Sequence, residues 1–258
     1  MQIEVDVMLD YDLSDPNVLL DIRAVHQAGQ AVLSETIEAE GAEFREVTSE
    51  TGVGQRMWAH VPSHAMRLHY NAMVEVTRVA EPLRHLQDTD MRDLPGEVLT
   101  YLRPSRFCQS DMFATFVARE FEGLSGGARV AAIRDWVGSH MSYIPGASTV
   151  DTTVLDTFVS REGVCRDYAH MVCAMVRAAG VPARYASCYG PNVRPQDFHA
   201  VAQVWLEGAW RLIDATGMSD DSNAVLIAVG RDACDVAFME TSSFAYFLRQ
   251  NINVWGPL

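Results

Sequence analysis

The feature that most constrains this 258-residue chain is an amphipathic helix predicted to begin at Cys165 and to end before Gly180. Apolar residues recur there at helical spacing, and Pro182 strengthens the stop signal that the glycine supplies. Cys165 lies on the same apolar stripe, so we expect its thiol to face the core side of the helix. The stripe consists of Tyr168, Val172, Met175, Val176 and Ala179.

The position of Cys165 in the first helical turn gives its thiol a distinctive environment. It lies at the positive end of the helix dipole, beside backbone N–H groups that have no partner within the helix. Both effects favour the thiolate, which is the nucleophilic form of cysteine. The plain alternative is an inert buried thiol, which is a common role of cysteine. A nucleophile would also need a base, and a group that orients the base.

A predicted hairpin downstream supplies both of these groups. Residues 197–206 and 210–214 read as two antiparallel strands. If a two-residue loop joins them, His199 and Asp214 become diagonal neighbours on one face. A three-residue loop would place them on opposite faces. The hairpin can therefore hold a histidine against an aspartate, and the length of its turn decides whether it does.

Other histidines make poorer candidates for the base or for a metal site. His170 follows Cys165 by five positions, which rotates it about 140° around a helix and away from the sulfur. His60 and His64 have the spacing of a metal pair, but Pro62 lies between them and no second ligand pair follows. We therefore expect a loop or a strand edge there, and we predict no metal site.

Four sequence blocks resemble the bacterial branch of the transglutaminase-like superfamily, whose members are often described as candidate cysteine proteases. The blocks occur in the order found in that family. They are Arg161–His170, Gly180–Tyr185, Phe198–Ala200 and Trp210–Thr216. The resemblance covers about residues 152–217, and residues 102–108 look like the lead-in that these bacterial proteins carry.

This resemblance implies a catalytic triad of Cys165, His199 and Asp214 on a papain-like fold of the α+β class, with the cysteine helix packed on an antiparallel sheet. In such a triad the histidine shares the proton of the thiol, and the aspartate fixes the tautomer of the ring. The backbone N–H of Cys165 is the natural first donor to the oxyanion. Tyr143 and Gln203 are further candidates for that role.

The chemistry expected of this triad is acyl transfer on amide bonds of peptides or proteins through a thioester. Hydrolysis is the first hypothesis. The alternatives are a protein-glutamine transglutaminase or deamidase, in which the triad is the same, and a non-catalytic binding protein on the same fold. Water resolves the thioester in a hydrolase, whereas a lysine amine does so in a crosslinking enzyme. None of these reactions requires a cofactor, and we expect none.

Composition bounds the class of partner and the compartment. With 48% apolar residues the chain can bury one substantial core or two modest ones. A net charge of −14 argues against nucleic acid or an anionic membrane as the partner. We expect neither a secretory signal nor a membrane-spanning segment. Five cysteines without a Cys-x-x-Cys motif suit a reducing compartment, and we predict a cytoplasmic protein.

The chain is predicted to divide near residue 100. Residues 1–100 form a β-rich module, because apolar residues alternate with polar ones along 3–9 and 68–76. Residues 101–258 form the catalytic domain. Segment 81–108, with its prolines and charges, reads as a connection rather than as core.

Several local features carry further expectations. A short helix over 151–161 should bury four apolar residues, Val154, Leu155, Phe158 and Val159. The acidic run 219–223 has a spacing that suggests calcium, but a solvated turn with a helix cap fits better. The loop 190–195 suits a rim or lid of the cleft. Among the remaining cysteines, Cys108 is expected to be the more exposed, and the other three, Cys173, Cys188 and Cys234, to be buried.

Overall fold

A computed structural model describes residues 1–256 as antiparallel sheets joined by a helical segment. The strands are β1 (Gln2–Leu13), β2 (Asn17–Leu20), β3 (Gln30–Ala39), β4 (Glu43–Thr48), β5 (Gln55–His60), β6 (Ala65–Val76), β7 (Ser142–Tyr143), β8 (Glu162–Gly163), β9 (Ala183–Tyr189), β10 (His199–Leu206), β11 (Ala209–Ile213), β12 (Val225–Gly230), β13 (Met239–Thr241) and β14 (Ala245–Trp255). The helices are α1 (Ala114–Glu120), α2 (Gly126–His140), α3 (Val154–Ser160) and α4 (Cys165–Ala178), with short 3-10 turns between them. Within residues 1–256, no helix combines the length and the apolar character needed to cross a bilayer.

Two four-stranded sheets make up the strand-rich part of the molecule, in the orders β14-β1-β6-β3 and β13-β2-β5-β4. The alternation predicted along β1 and β6 is confirmed. Val5 and Val7 are fully buried, and Val5 pairs with Ala72 of β6, which is also fully buried. Successive side chains of a strand point to opposite faces, so each strand contributes every second residue to the core.

The last two strands of the chain belong to these same sheets. β13 pairs with β2, and β14 pairs with β1 along nearly the whole length of both strands. The predicted division at residue 100 therefore places residues 239–255 in the wrong unit. Sequence order does not decide which strands pair. Ile252 and Val254 are 3% and 2% exposed, because they pack into the core beneath β1.

The second half of the molecule is a helix packed on an antiparallel sheet, as predicted. The sheet has the order β11-β10-β9-β12, and α4 lies across β9 and β10. Met171 and Met175 of α4 are fully buried against it. The helix ends where Gly180 adopts a positive φ of 81°, a conformation that glycine adopts at little steric cost. The fold is therefore α+β.

Two predictions about burial in the helical segment are wrong in part. Segment 81–108 connects the two halves, but it also contributes core residues, among them Val98 and Tyr101. In α3, Val154 is buried, whereas Leu155 and Val159 are 37% and 83% exposed. A two-turn helix on the surface buries one face only, and residues 155 and 159 share the opposite face.

The expected exposure of two cysteines is reversed. Cys108 is fully buried, because the connection runs against α4 and the thiol lies 3.6 Å from the carbonyl oxygen of His170. Cys234 is exposed in the surface turn after β12. Cys173 and Cys188 are buried as predicted. Polar neighbours in sequence do not keep a side chain in water when the backbone lies against a helix.

Gln30 joins the strand-rich half to the sheet β11-β10-β9-β12. Its amide nitrogen donates to the carbonyl oxygens of Val25 at 2.8 Å and Leu226 at 2.9 Å, and its amide oxygen accepts from the Leu226 N–H at 2.8 Å. The side chain thus completes the outer hydrogen bonds of β12 as a neighbouring strand would. Because Gln30 is 2% exposed, water cannot replace these bonds.

We expect Gln30→Ala to lower the free energy of unfolding by about 3 kcal/mol, because buried backbone groups of Leu226 and Val25 lose their partners. Gln55→Ala, at an exposed position of β5, is the control and should cost less than about 0.5 kcal/mol. Urea denaturation of the two variants measures the difference. Equal small losses would mean that Gln30 does not hold the halves together.

Candidate active site

The start of α4 is brought against Tyr143 by a short parallel pair of strands. β7 pairs with β8, which immediately precedes the helix, and Tyr143 lies opposite Gly163. The N–H of Ile144 donates to the carbonyl of Gly163 at 2.9 Å. The Tyr143 hydroxyl lies near the backbone N–H and the thiol of Cys165, and burial together with this thiol raises the pKa of Tyr143 to about 12.

Asp167 fixes the first turn of the helix. Its carboxylate accepts from the Val164 N–H at 2.8 Å and from the Ser148 hydroxyl at 2.6 Å, and the residue is 1% exposed. An acceptor at the third helical position satisfies an N–H that the helix itself leaves free. A Cβ on Gly163 would lie 2.6 Å from the Cβ of Asp167, so only glycine lets this carboxylate approach.

We therefore expect Gly163→Ala to destabilise the protein by about 2 kcal/mol, because the added methyl group displaces Asp167 from the helix start. Alkylation of Cys165 should slow in the same variant. Gly96→Ala is the matched control, since a Cβ at Gly96 would meet no atom within 4 Å. Thermal unfolding and alkylation rates of the two variants provide the test, and a stable, fully reactive Gly163→Ala protein would contradict it.

The hairpin brings His199 and Asp214 together. Leu206 pairs with Ala209, so β10 and β11 are joined by the predicted two-residue loop. Nε2 of His199 lies 2.8 Å from Oδ2 of Asp214, and the two side chains are 0% and 1% exposed. The diagonal placement that the sequence predicts is therefore found, in a site closed to water on this side.

Asp214 accepts three further hydrogen bonds from the turn that follows it. Oδ1 accepts from the N–H of Thr216 at 2.8 Å and from its hydroxyl at 2.6 Å, and Oδ2 accepts from the N–H of Ser219 at 2.9 Å. Burial raises the pKa of Asp214, but the bonds from His199 and Thr216 outweigh it and hold the pKa below its usual value. The carboxylate is thus ionised and fixed in orientation.

Thr216 and Ser219 support Asp214 although neither is predicted to do so from the sequence. The signal for Thr216 was present, because a side-chain oxygen of aspartate often accepts from the residue two positions on. The acidic run 219–223 forms a turn in which Asp220 accepts from the Ser222 N–H at 2.8 Å. Across residues 1–256, no three His, Cys, Asp or Glu side chains are grouped to hold a metal.

His199 carries a proton more readily than an ordinary histidine does. Burial lowers its pKa, but the bond to Asp214 and the contact with the Cys165 thiol raise it to about 9. Nδ1 is buried and makes no hydrogen bond within the part of the chain described, so this nitrogen is free for the thiol. Cys165 itself is partly exposed, unlike Cys173 and Cys188. The site thus combines an accessible thiol with a basic ring.

Comparison with known proteins identifies relatives of this sequence and of its fold. Residues 116–215 match the family model described as transglutaminase-like superfamily. These residues form a transglutaminase-like domain. A crystal structure from Cytophaga hutchinsonii, of a protein named as a "putative cysteine protease", superposes with a TM-score of 0.92 at 29% identity over 99% of this chain and 90% of that one.

Curated relatives of this chain include proteins from mycobacteria. An uncharacterised protein of Mycobacterium leprae is 35% identical over 119 residues, which cover 43% of this chain and 42% of that protein. One from Mycobacterium tuberculosis is 32% identical over 110 residues, which cover 37% of this chain and 35% of that protein. The chain therefore spans less than half the length of these curated relatives.

Gln203 lies away from the active site of the transglutaminase-like domain, so its candidacy as an oxyanion donor is wrong. It follows His199 by four residues along β10, which is about 13 Å in a strand. Its amide oxygen accepts from Nε of Arg184 at 2.8 Å, and the Arg184 guanidinium lies over the Trp210 ring at 4.1 Å. Gln203 therefore has a structural role. Of the two side chains proposed as oxyanion donors, only that of Tyr143 lies near Cys165.

The three other histidines considered from the sequence, His60, His64 and His170, have structural partners. His170 stacks on Phe107, with 5.4 Å between ring centroids, and its Nε2 accepts from the Ala233 N–H at 3.1 Å. Burial lowers the pKa of His170 to about 4, so the ring is neutral. Nδ1 of His60 contacts Asn17, and Nδ1 of His64 contacts the carbonyl of Leu13.

The titration of His199 tests the electrostatics of the transglutaminase-like site. The folded pKa of about 9 exceeds the ordinary value of 6.5, so the stability that it contributes is full below pH 6.5 and is lost as pH rises through about 9. NMR of the imidazole should give a midpoint near 9 in the wild type and a lower one in Asp214→Asn. Asp135→Asn, at an exposed carboxylate of α2, should leave the midpoint unchanged. A midpoint that is insensitive to Asp214 would contradict the assignment.

Proposed function

We propose that this protein is a cysteine hydrolase that cleaves amide bonds of peptides or proteins through a thioester. One observation carries the proposal. The Cys165 thiol lies at the start of α4 in contact with His199, and Nε2 of His199 lies 2.8 Å from the buried carboxylate of Asp214. This is the arrangement that an activated thiol nucleophile requires, with a base beside it and an acceptor behind the base.

The first half of the proposed reaction forms the thioester. The thiol proton passes to Nδ1 of His199, and the sulfur of Cys165 bonds to the carbonyl carbon of the substrate. Asp214 stabilises the imidazolium that results. When the tetrahedral intermediate collapses, the carbon–nitrogen bond breaks and the leaving amine takes the proton from His199. The acyl group is then held on the sulfur.

The second half releases the acid. A water molecule gives a proton to His199 and its oxygen bonds to the thioester carbon. Collapse of this second intermediate breaks the carbon–sulfur bond, and the thiolate of Cys165 regains the pair with protonated His199. The enzyme returns to its starting state, and one amide bond has been hydrolysed.

Tyr143 is the proposed second donor to the oxyanion. Its hydroxyl lies near the backbone N–H of Cys165, and that N–H is the first donor. A pKa of about 12 keeps the hydroxyl protonated at neutral pH, so it can donate a hydrogen bond to a developing negative charge. Parallel pairing of β7 with β8 supports this role, because it fixes the tyrosine against the helix start.

Amine transfer is the second candidate function. The triad would be the same, but the thioester would form from a glutamine side chain with release of ammonia. A lysine amine would then attack the thioester in a transglutaminase, and water would do so in a deamidase. The name of the Cytophaga relative supports hydrolysis as the first proposal, since that protein is described as a "putative cysteine protease". A non-catalytic binding protein on this fold is the third candidate function.

The cytoplasmic location also remains a prediction.

Alkylation by iodoacetamide, mapped by peptide mass spectrometry over a range of pH, tests the proposed nucleophile. We expect Cys165 to react fastest of the five cysteines, to stay reactive well below pH 8, and to lose at least about tenfold in rate in His199→Ala. His85→Ala, an exposed histidine far along the chain, is the control and should react as the wild type does.

The same variants separate the candidate functions. Release of fluorescent peptides from labelled casein by the wild type, and not by Cys165→Ser, supports the hydrolase. Incorporation of a biotinylated amine into casein without cleavage would favour the transferase instead. If Cys165 reacts no faster than the other cysteines and its alkylation rate is unchanged in His199→Ala, the enzyme proposal fails. The non-catalytic binding protein then becomes the proposed function.

A further inference from the structure

The strand β14 forms an open edge of its sheet. The order β14-β1-β6-β3 pairs it with β1 on one side, and no strand among residues 1–256 pairs with its other side. An edge strand of a sheet presents unpaired backbone N–H and C=O groups that can pair with another chain. Proteins usually protect such edges with charged side chains, with proline or with very short strands.

This edge has large apolar side chains where protection is expected. Phe244 and Tyr246 are each 63% exposed, Phe247 is 61% exposed, and Leu248 is 49% exposed. These four exposed residues lie within five positions, Phe244 directly before β14 and the others within it, and we call them the edge row. Phe244 and Tyr246 are in contact, with 4.6 Å between ring centroids. Contiguous exposed apolar surface is a mark of an interaction site.

One end of the edge is already paired, by a side chain that imitates a peptide group. The Gln196 amide nitrogen donates to the Val254 carbonyl at 2.8 Å, and the Val254 N–H donates to the Gln196 amide oxygen at 2.6 Å. Backbone groups of an antiparallel strand alternate in direction, so Gln250 and Ile252 present theirs on the same side. Those groups make no hydrogen bond on that side within residues 1–256.

The free part of the edge lies beside the candidate active site. Nε2 of Gln250 donates to Asp197 at 2.6 Å, and Asp197 precedes His199 by two residues. Phe247 contacts Tyr11, with 5.7 Å between ring centroids, and burial and then Asp197 raise the pKa of Tyr11. Asp197 also contributes, after burial and Cys165, to the raised pKa of Tyr143. Asp197 therefore links Gln250 of β14 to the segment that leads into His199.

We propose that β14 is the substrate-docking edge, on which an extended, apolar-rich segment of unfolded polypeptide adds as a further strand over residues 245–252. Backbone pairing supplies affinity without sequence specificity, and Phe247 holds an apolar side chain of the substrate. The segment then continues past Asp197 toward Cys165. This inference rests on the proposed function and narrows its substrate class to unfolded or locally unfolded protein.

Binding to the inactive Cys165→Ala protein tests docking without requiring turnover. The probe is fluorescein-labelled β-casein, a protein without stable fold, and the measurement is fluorescence anisotropy. Phe247→Ala in this background should weaken binding about tenfold, as loss of an aromatic anchor does at interfaces. Trp58→Ala, at an aromatic residue of the other sheet that is 38% exposed, should leave binding unchanged. Equal affinities of the two variants would overturn the proposal.

Substrate backbone methylation provides a test that needs no variant of Phe247. Hexapeptides of sequence VTLTVK, each N-methylated at one amide, compete with labelled β-casein for the protein. Strand addition predicts that methylation weakens competition at alternate amides and spares the amides between them. A uniform effect at every amide, or none, would refute strand addition.

Sedimentation tests whether a second copy occupies the edge instead. A dimer that β-casein does not dissociate, and that Phe247→Ala does dissociate, would overturn the docking proposal. The two proposals fail separately. Docking on β14 together with an unreactive Cys165 would contradict the hydrolase proposal alone. A reactive Cys165 without binding to β14 would contradict the docking proposal alone.

Discussion

The buried contact between His199 and Asp214 is the interaction on which the rest of the site depends. Both side chains are withdrawn from water, and an ion pair in that position is stable only when its remaining polar atoms have partners. Thr216 and Ser219 supply these partners to the carboxylate, so its charge is fixed in place. The ring consequently has one nitrogen committed to Asp214 and the other available to Cys165. Loss of any donor around Asp214 would affect the basicity of His199.

Contacts between residues that are close in sequence could be predicted, whereas contacts between distant segments could not. The α4 helix and the β10–β11 hairpin depend on spacing within short segments, so the sequence predicts the contact of His199 with Asp214. Burial of Cys108 and the bond of Gln203 to Arg184 depend on which segments meet, and a single sequence does not record this. β14 was missed for the same reason, since its partner β1 lies at the other end of the chain. The sequence gives little support for Tyr143 as an oxyanion donor. The pairing of β7 with β8 that places it at the helix start involves only two residues in each strand.

Helix geometry and strand pairing cooperate at the nucleophile. Asp167 can cap α4 only because Gly163 has no side chain, and Gly163 is also the residue that pairs with Tyr143. One glycine therefore serves both the helix start and the placement of the tyrosine. This explains why the cysteine, the cap and the tyrosine form a unit although they come from two separate elements, α4 and β7. It also means that their effects on reactivity will not be additive, since residues in contact with a shared partner couple energetically.

The strand-rich part of the molecule is not an independent module that precedes an enzyme. Its last strands, β13 and β14, follow the sheet β11-β10-β9-β12 in sequence, so β10 and β11 precede the strand that pairs with β1. Gln30 ties the two halves through the backbone of Leu226, and Gln250 of β14 binds Asp197, which precedes His199 by two residues. The open edge of β14 therefore lies beside Asp197, two residues from His199. An apolar edge of this kind risks aggregation, and the proposed docking of a substrate there gives a physical reason for retaining it.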